Sequence, residues 1–297
     1  MTALQDTTVQ APPRTLSERL ARVAGRSPTH IILGFIALLW LVPSLGLLIT
    51  SFRPSVDMRA TGWWTVLFEP RFTLANYERV ITAEDMGSAF INSLFITLPA
   101  TILPLLIASM GAFALAWVRF PFRDTIFLVI VALLMVPVQI GFIPLVAAFR
   151  ESGTGLLTNY GAIWLTHTAF ALPFGIFLLR NFFITLPKDL IEAARIDGAS
   201  NVGIFRTIVV PLSVPAIAAY GIFQFLWVWN DLLMAVIYAQ SGSIQPMTVA
   251  VTRLLGTYAT EWSLLAAAAF LIMIVPLVVF ISLQRFFVQG LLAGSVK

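Results

Sequence analysis

The sequence predicts an all-α polytopic membrane protein with six transmembrane helices, and three observations carry that prediction. Of its 297 residues, 59% are hydrophobic and only 11% charged, against about 25% charged in soluble domains, and the mean hydropathy is +0.92. Six stretches are long enough to cross a hydrocarbon core of about 30 Å, which takes roughly 20 apolar helical residues. Finally, Lys and Arg are spread unevenly over the connecting segments, as membrane orientation requires.

The expected spans are His30–Thr50, Ser88–Val118, Thr125–Phe149, Gly161–Phe182, Ile208–Ala239 and Trp262–Phe287. The first is too long for a signal-peptide core and no small-residue cleavage site follows it. With the N-terminus placed in the cytoplasm, the inner segments hold twelve Lys and Arg and the outer ones six, so both termini are expected inside. Two domains follow: a cytoplasmic tail over 1–29 and a membrane region over 30–297. In the tail, Thr15-Leu16-Ser17-Glu18 fits a capping box, opening a short amphipathic helix with Leu16, Leu20 and Val23 on one side and Arg19, Arg22 and Arg26 elsewhere. Such a helix suits an anionic lipid surface. Beyond the first span, Trp63-Trp64 suits the headgroup boundary.

Prolines recur inside the spans, at 43, 99, 104, 137, 144, 173, 215 and 276. Each removes a backbone donor, and a membrane tolerates this only where neighbours or cavity water satisfy the freed carbonyl. A bundle that rocks around an internal path has use for such helices; a simple anchor does not.

Composition also excludes. The net charge of +4 and pI near 9.8 do not indicate nucleic-acid binding, because the bases are scattered among apolar runs. There is no cysteine and there are two histidines, which removes thiolate metal sites and leaves no basis for a histidine cluster. No G-x-x-x-x-G-K-[ST] phosphate loop, H-E-x-x-H or G-x-S-x-G motif is present. No catalytic residue is expected.

The most informative segment lies between spans four and five, 186–211, reading LPKDLIEAARIDGASNVGIFRTIVVP. It is too polar to cross a membrane and too long for a turn. Pro187 suits a first helical turn, and Asp189 and Glu192 favour its positive end. Ile191, Ala194 and Arg195 share one side, the Ala193-Ala194 pair keeps the surface low, and Gly198 suits a helix end. Ser200 or Asn201 suits the cap of a second short helix bearing Ile204, Phe205 and Ile208. The residues alone allow a membrane-surface connector or a docking element.

The spacing Glu192-Ala193-Ala194, three residues, Gly198, nine residues, then Ile208 and Pro211 resembles the EAA motif of permease subunits of binding-protein-dependent ABC importers, with Val210 where leucine is usual. Asp197-Gly198-Ala199 and Phe205 resemble the carbohydrate branch. So do Phe72–Tyr77, Trp229-Asn230-Asp231, and the tail Gln284–Leu291 with Gly294–Lys297, which are similar to the second permease of maltose-type systems. The Gly62-Trp63-Trp64 stretch resembles α-glucoside systems.

The resemblance implies an ATP-driven importer of a di- or oligosaccharide, in the inner membrane. This chain would pair with a second permease subunit, with two ATP-binding subunits beneath holding ATP and Mg, and an external sugar-binding protein above; this chain would bind no cofactor and no metal. Glu192, Ala193, Ala194, Asp197, Gly198 and Phe205 would form the coupling helix that docks on an ATP-binding subunit. The segment 240–261 would be the outer scoop loop, with Gln245, Thr248, Arg253 and Tyr258 as candidate contacts, and the cytoplasmic tail 288–297 would reach the ATPase dimer.

Polar residues within the spans are Asn92, Gln139, His167, Gln224, Asn230 and Asp231. Buried ionisable groups are costly in a membrane and face the bundle interior, so Gln139, His167, Gln224, Asn230 and Asp231 are candidates for a solute path. Each is also compatible with a polar clamp between helices. The competing readings are an ABC permease for a non-sugar solute and a stand-alone secondary transporter or channel with Asp231 as its coupling site; inverted repeats, expected in the latter, are not visible. A membrane enzyme would lack any nucleophile–base pair.

Overall fold

A computed structural model describes residues 16–82, 85–258 and 260–293. In order, the helices are α1 (Leu16–Phe52), α2 (Ser55–Ala60), α3 (Ala75–Thr82), α4 (Met86–Trp117), α5 (Arg123–Leu133), α6 (Phe142–Glu151), α7 (Gly161–Phe183), α8 (Lys188–Ile196), α9 (Asn201–Ile204), α10 (Val210–Leu212), α11 (Val214–Trp229), α12 (Leu233–Tyr238), α13 (Met247–Thr257) and α14 (Trp262–Ala293). Among the described residues, four helical segments are long and apolar enough to cross a membrane: Pro28–Phe52, Met86–Trp117, Gly161–Phe183 and Trp262–Arg285. Two bent pairs bring the number to as many as six if each is one broken span.

Those bent pairs correct two expected spans. The third is not a single helix over 125–149: Arg123–Leu133 and Val138–Glu151 meet at 92°. Pro137 has no N–H to continue the ladder and pushes Val136 out of helical geometry. The fifth bends by 78° at Ser213, between Asn201–Leu212 and Val214–Trp229, where Pro211 and Pro215 flank the break. It also stops at Trp229 instead of Ala239. There the Asn230 side chain donates to the Leu226 carbonyl at 2.8 Å, and the Asp231 carboxylate accepts from Ala235 N–H at 3.1 Å in the next helix. These local bonds compete with helix continuation, as short polar side chains do.

The N-terminal expectation changes as well. The backbone is one helix from Leu16 to Phe52, so the short helix expected in the tail is continuous with the first span. Thr15, which would open the capping box, lies outside the described residues, as do 294–297. Residues 28–45 of α1 are exposed throughout, whereas the other three unbroken spans bury 28–44% of their apolar windows.

Three proline-freed carbonyls show how the bundle tolerates its kinks. Proline at position i deprives the carbonyl at i−4 of its donor. Pro99 frees Phe95 O, which accepts from Trp164 Nε1 at 2.8 Å. Pro104 frees Ala100 O, which accepts from Gln224 Nε2 at 3.0 Å. Pro276 frees Ile272 O, which accepts from Trp229 Nε1 at 2.9 Å. In each case the donor comes from another span, so the kinks also fasten α4 to α7, α4 to α11 and α11 to α14.

The core follows the bundle axis. Val80, Met86, Phe225, Trp229, Leu254 and Leu264 pack near the Phe52 end of α1. Ile96, Ala100, Phe142, Ile163, Met234 and Tyr238 fill the middle. Leu179, Phe183, Ile191, Ile204, Val209 and Tyr220 close the end that carries α8.

Candidate functional site

The α8 end is assembled by its basic side chains. Pro187 precedes the first turn of α8 and Gly198 terminates the helix with φ of +82°, a left-handed geometry that glycine adopts without penalty. Ala199 N–H closes the turn onto Ala194 O at 2.9 Å. Ser200 then caps α9, its Oγ accepting from Gly203 N–H at 3.1 Å. A π-helical turn, Phe205–Val209, leads into α10.

One side of α8 is bound to the bundle. Ile191 is fully buried with Phe183, Leu179 and Ile204, and Ala194 packs at its edge. Arg195 donates to the last carbonyl of α4, Trp117 O, at 2.6 Å. The ends of α4 and α7 are joined in turn: Trp117 Nε1 donates to Phe183 O at 3.1 Å, and Arg180 Nε donates to Leu115 O at 3.3 Å. These side-chain donors serve carbonyls in the last turns of α4 and α7, where helices run out of backbone partners. The opposite side is free: Glu192, Ala193, Asp197 and Gly198 are exposed, and Ile196 is 86% exposed. A Cβ at Gly198 would meet nothing within 4 Å. Phe205 differs from the others in this group, because it is half-buried against Phe113 with ring centroids 5.3 Å apart.

The candidate path residues separate into two groups. Gln139 and Asn230 are exposed, Gln139 just past the break of the third span and Asn230 at the end of α11. Gln224, by contrast, is 3% exposed and committed to Ala100 O, so it closes the gap left by Pro104 and faces no open space. His167 is fully buried. Its Nε2 lies 3.7 Å from Asp231 Oδ2, too far for a hydrogen bond, and its ring stands edge-on to Trp227 at 5.7 Å. Asp231 joins three elements: its carboxylate meets the first turn of α12 and approaches His167 of α7, while its carbonyl accepts from Thr248 Oγ1 of α13 at 2.9 Å.

The expected scoop segment 240–261 is largely structured. It contains α13, whose Met247, Val249 and Leu254 are buried. Asn92 Nδ2 donates to Ser243 O and Gln245 O at 2.9 and 3.0 Å, Tyr160 Oη donates to Asn92 Oδ1 at 2.7 Å, and Met247 N–H donates to Ser93 Oγ. Thr248 is thereby turned inward to Asp231. Arg253 is exposed. Tyr258 lies under the Arg79 guanidinium, 4.7 Å from ring centroid to Cζ, and Arg79 pairs with Glu261 at 2.7 Å. The Tyr258 side chain first, and then Glu261, hold Arg79 above its ordinary pKa.

Asn92, Trp164 and Trp229 emerge as organising residues whose partners are invisible along the chain. The prolines at 99, 104 and 276 mark carbonyls that need donors, but the donors stand on other helices.

Comparison with known proteins agrees with this architecture. The chain is 50% identical over 275 residues to the osmoprotective compounds uptake permease protein GgtD of Synechocystis, covering 91% of this chain and 92% of that one. It is 45% identical over 257 residues to the alpha-glucoside transport system permease protein AglG of Rhizobium meliloti, covering 83% and 68%. In fold it matches a chain in the crystal structure of a bacterial ABC transporter involved in the import of the acidic polysaccharide alginate, with a TM-score of 0.72 at 22% identity, covering 93% and 99%. The profile of the binding-protein-dependent transport system inner membrane component matches residues 105–292. With α8 projecting from a bundle of kinked, multiply crossing helices, and with these relatives, the chain belongs to the permease subunits of binding-protein-dependent ABC importers, multi-pass proteins of the inner membrane.

Proposed function

We propose that this chain is one of two different permease subunits of an importer for a di- or oligosaccharide, with both termini cytoplasmic. The observation that carries the proposal is the two-sided build of α8: one side is fixed to the ends of α4 and α7, while Glu192, Ala193, Asp197 and Gly198 remain uncovered. That is what a coupling helix needs, rigid attachment to the bundle and a low free surface for an ATP-binding subunit. Two such subunits supply ATP and Mg chemistry; this chain hydrolyses nothing. Their closure draws α8 inward and, through α4 and α7, opens the path toward an external sugar-binding protein. Asp231 lies where α7, α12 and α13 meet, and Arg253 on exposed α13 is available to the binding protein or its sugar. The cytoplasmic tail 288–297 is assigned the role of contacting the ATPase dimer.

The test is purification of the tagged chain in mild detergent, with identification of its companions by mass spectrometry. A second multi-span permease and a P-loop ATPase are expected. Solute transport by the chain alone would refute the proposal and make Asp231 the centre of a secondary transporter. A second reading of the substrate, an osmoprotective solute, is favoured by the name of the Synechocystis relative. Competition of the two solute classes for uptake separates the readings.

A further inference from the structure

The turn Trp63–Leu67 does not stand clear of the bundle; it folds back beside α1. The Trp63 indole rests on Gly46, where a Cβ would come within 2.8 Å of the ring. Gly46 is six residues before the end of α1, which at 1.5 Å rise per residue places the ring about 9 Å below that end. A hydrocarbon core spanned by roughly 20 residues and centred on Pro28–Phe52 reaches past Gly46, so the turn dips to the level of the acyl chains.

From this turn a set of large apolar side chains faces away from the protein: Trp64 is 57% exposed, Leu67 79% and Phe68 83%. Phe72 and Leu74 follow, also exposed, while Val66 on the other side is buried. The set is held firmly. Arg53, 1% exposed, donates through Nη1 to Gly62 O at 2.9 Å and Thr65 Oγ1 at 2.6 Å, and its Nη2 lies 3.9 Å from Asp57. Asn76 Nδ2 reaches both Ser51 O and Arg53 O at 2.9 Å. A charged residue is thus buried to fix the shape of a turn whose apolar side chains none of the described residues covers.

We propose that residues 62–74 form an interfacial wedge that inserts Trp64, Leu67 and Phe68 into the lipid leaflet at the Phe52 end of α1 and so sets the depth of that span. Depth places the occupant within the membrane, because the turn lies alongside a span and below its end, and quenching by lipid, as opposed to burial against a second permease subunit, is what the experiment reads. Chemistry agrees, because an indole beside aliphatic and phenyl groups suits the headgroup–acyl boundary, and Glu69 and Arg71 bound the patch. The proposal requires that α1 be a membrane span, in either orientation.

The absence of cysteine from this chain permits single-site labelling in the intact transporter once reactive cysteines of its companion subunits are replaced. Phe68→Cys carrying an environment-sensitive fluorophore is reconstituted into bilayers containing lipids spin-labelled either high on the acyl chain or near its methyl end. The expected result is blue-shifted emission quenched several-fold more by the shallow label than by the deep one. Trp40→Cys, 76% exposed in mid-span, should show the reverse order, and Gly242→Cys, which meets nothing within 4 Å, should be unquenched. Blue-shifted emission at Phe68 without lipid quenching would put protein there and overturn the wedge. So would a water-like spectrum that shifts only when an external binding protein is added. A water-like spectrum at Trp40 would remove the span on which the wedge depends. Gly46→Leu, which displaces the Trp63 ring, should lower shallow quenching at Phe68 several-fold.

Discussion

The Gln224–Pro104 pair offers a quantitative test of how the bundle tolerates its kinks. Ala100 is fully buried and its carbonyl is served by Gln224 Nε2 at 3.0 Å, because Pro104 cannot donate to it. In Gln224→Leu, a change of little volume, that carbonyl loses its donor. A buried polar group left unpaired costs about 1–3 kcal/mol, whereas interhelical hydrogen bonds in membranes average about 0.6 kcal/mol and reach about 1.7. A loss of about 1 kcal/mol is expected, roughly a fivefold change in the folding equilibrium. In Pro104→Ala, the new alanine N–H supplies Ala100 O from within α4. Gln224→Leu on that background should then be close to neutral, giving a coupling energy of about 1 kcal/mol between residues on different helices. The four proteins are compared by reversible unfolding in mixed micelles. Additivity within about 0.3 kcal/mol would refute the reasoning, as would a Gln224→Leu variant as stable as the parent.

Other expectations follow from the geometry. Gly198→Trp places bulk on the free side of α8 and should uncouple ATP hydrolysis from uptake with all spans inserted, whereas Gly198→Asn, which tolerates positive φ, should retain coupling; uptake per ATP hydrolysed decides, and a normal ratio in the Trp variant would remove the docking assignment. Asp231→Asn should assemble normally, since an amide oxygen still accepts from Ala235 N–H. Altered uptake would then give the charge a place on the solute path, and unchanged uptake would confine Asp231 to starting α12. Asn92→Ala should release the chain before α13, raising amide exchange over residues 242–247 about tenfold for each 1.4 kcal/mol lost. Arg53→Met removes two hydrogen bonds from a buried charge and should cost about 2–3 kcal/mol, read as a lower melting temperature of the purified complex.

That several segments are apolar enough to cross a membrane was legible because hydropathy reports what lipid requires of each span separately. Their breaks were not. Pro137, Pro211 and Pro215 signal kinks, but bends of 92° and 78° depend on what the two halves pack against. The α8 region was legible in detail, since Pro187, Gly198 and Ser200 act through local backbone geometry. Phe205 was not, because helical spacing does not tell an inward phenyl ring from an outward one. Gln224 is the sharpest case. A glutamine at membrane depth suggests a polar path, and the reason for it is a proline 120 positions earlier on another helix. The segment 240–261 was expected as an outer loop from the family resemblance, and the helix α13 within it is held by contacts with α4 that the sequence does not show.

The lacing of α8 to the ends of α4 and α7 has a mechanical consequence. A force applied to α8 reaches those two helices through Arg195, Trp117 and Arg180, so they move with it as one arm. The path from α8 to α11 instead crosses a π-helical turn and the 78° bend at Ser213, a compliant elbow. A displacement of α8 would therefore reach α11 sideways, across shared core packing and the Gln224 tie to α4, and not along the backbone that joins them.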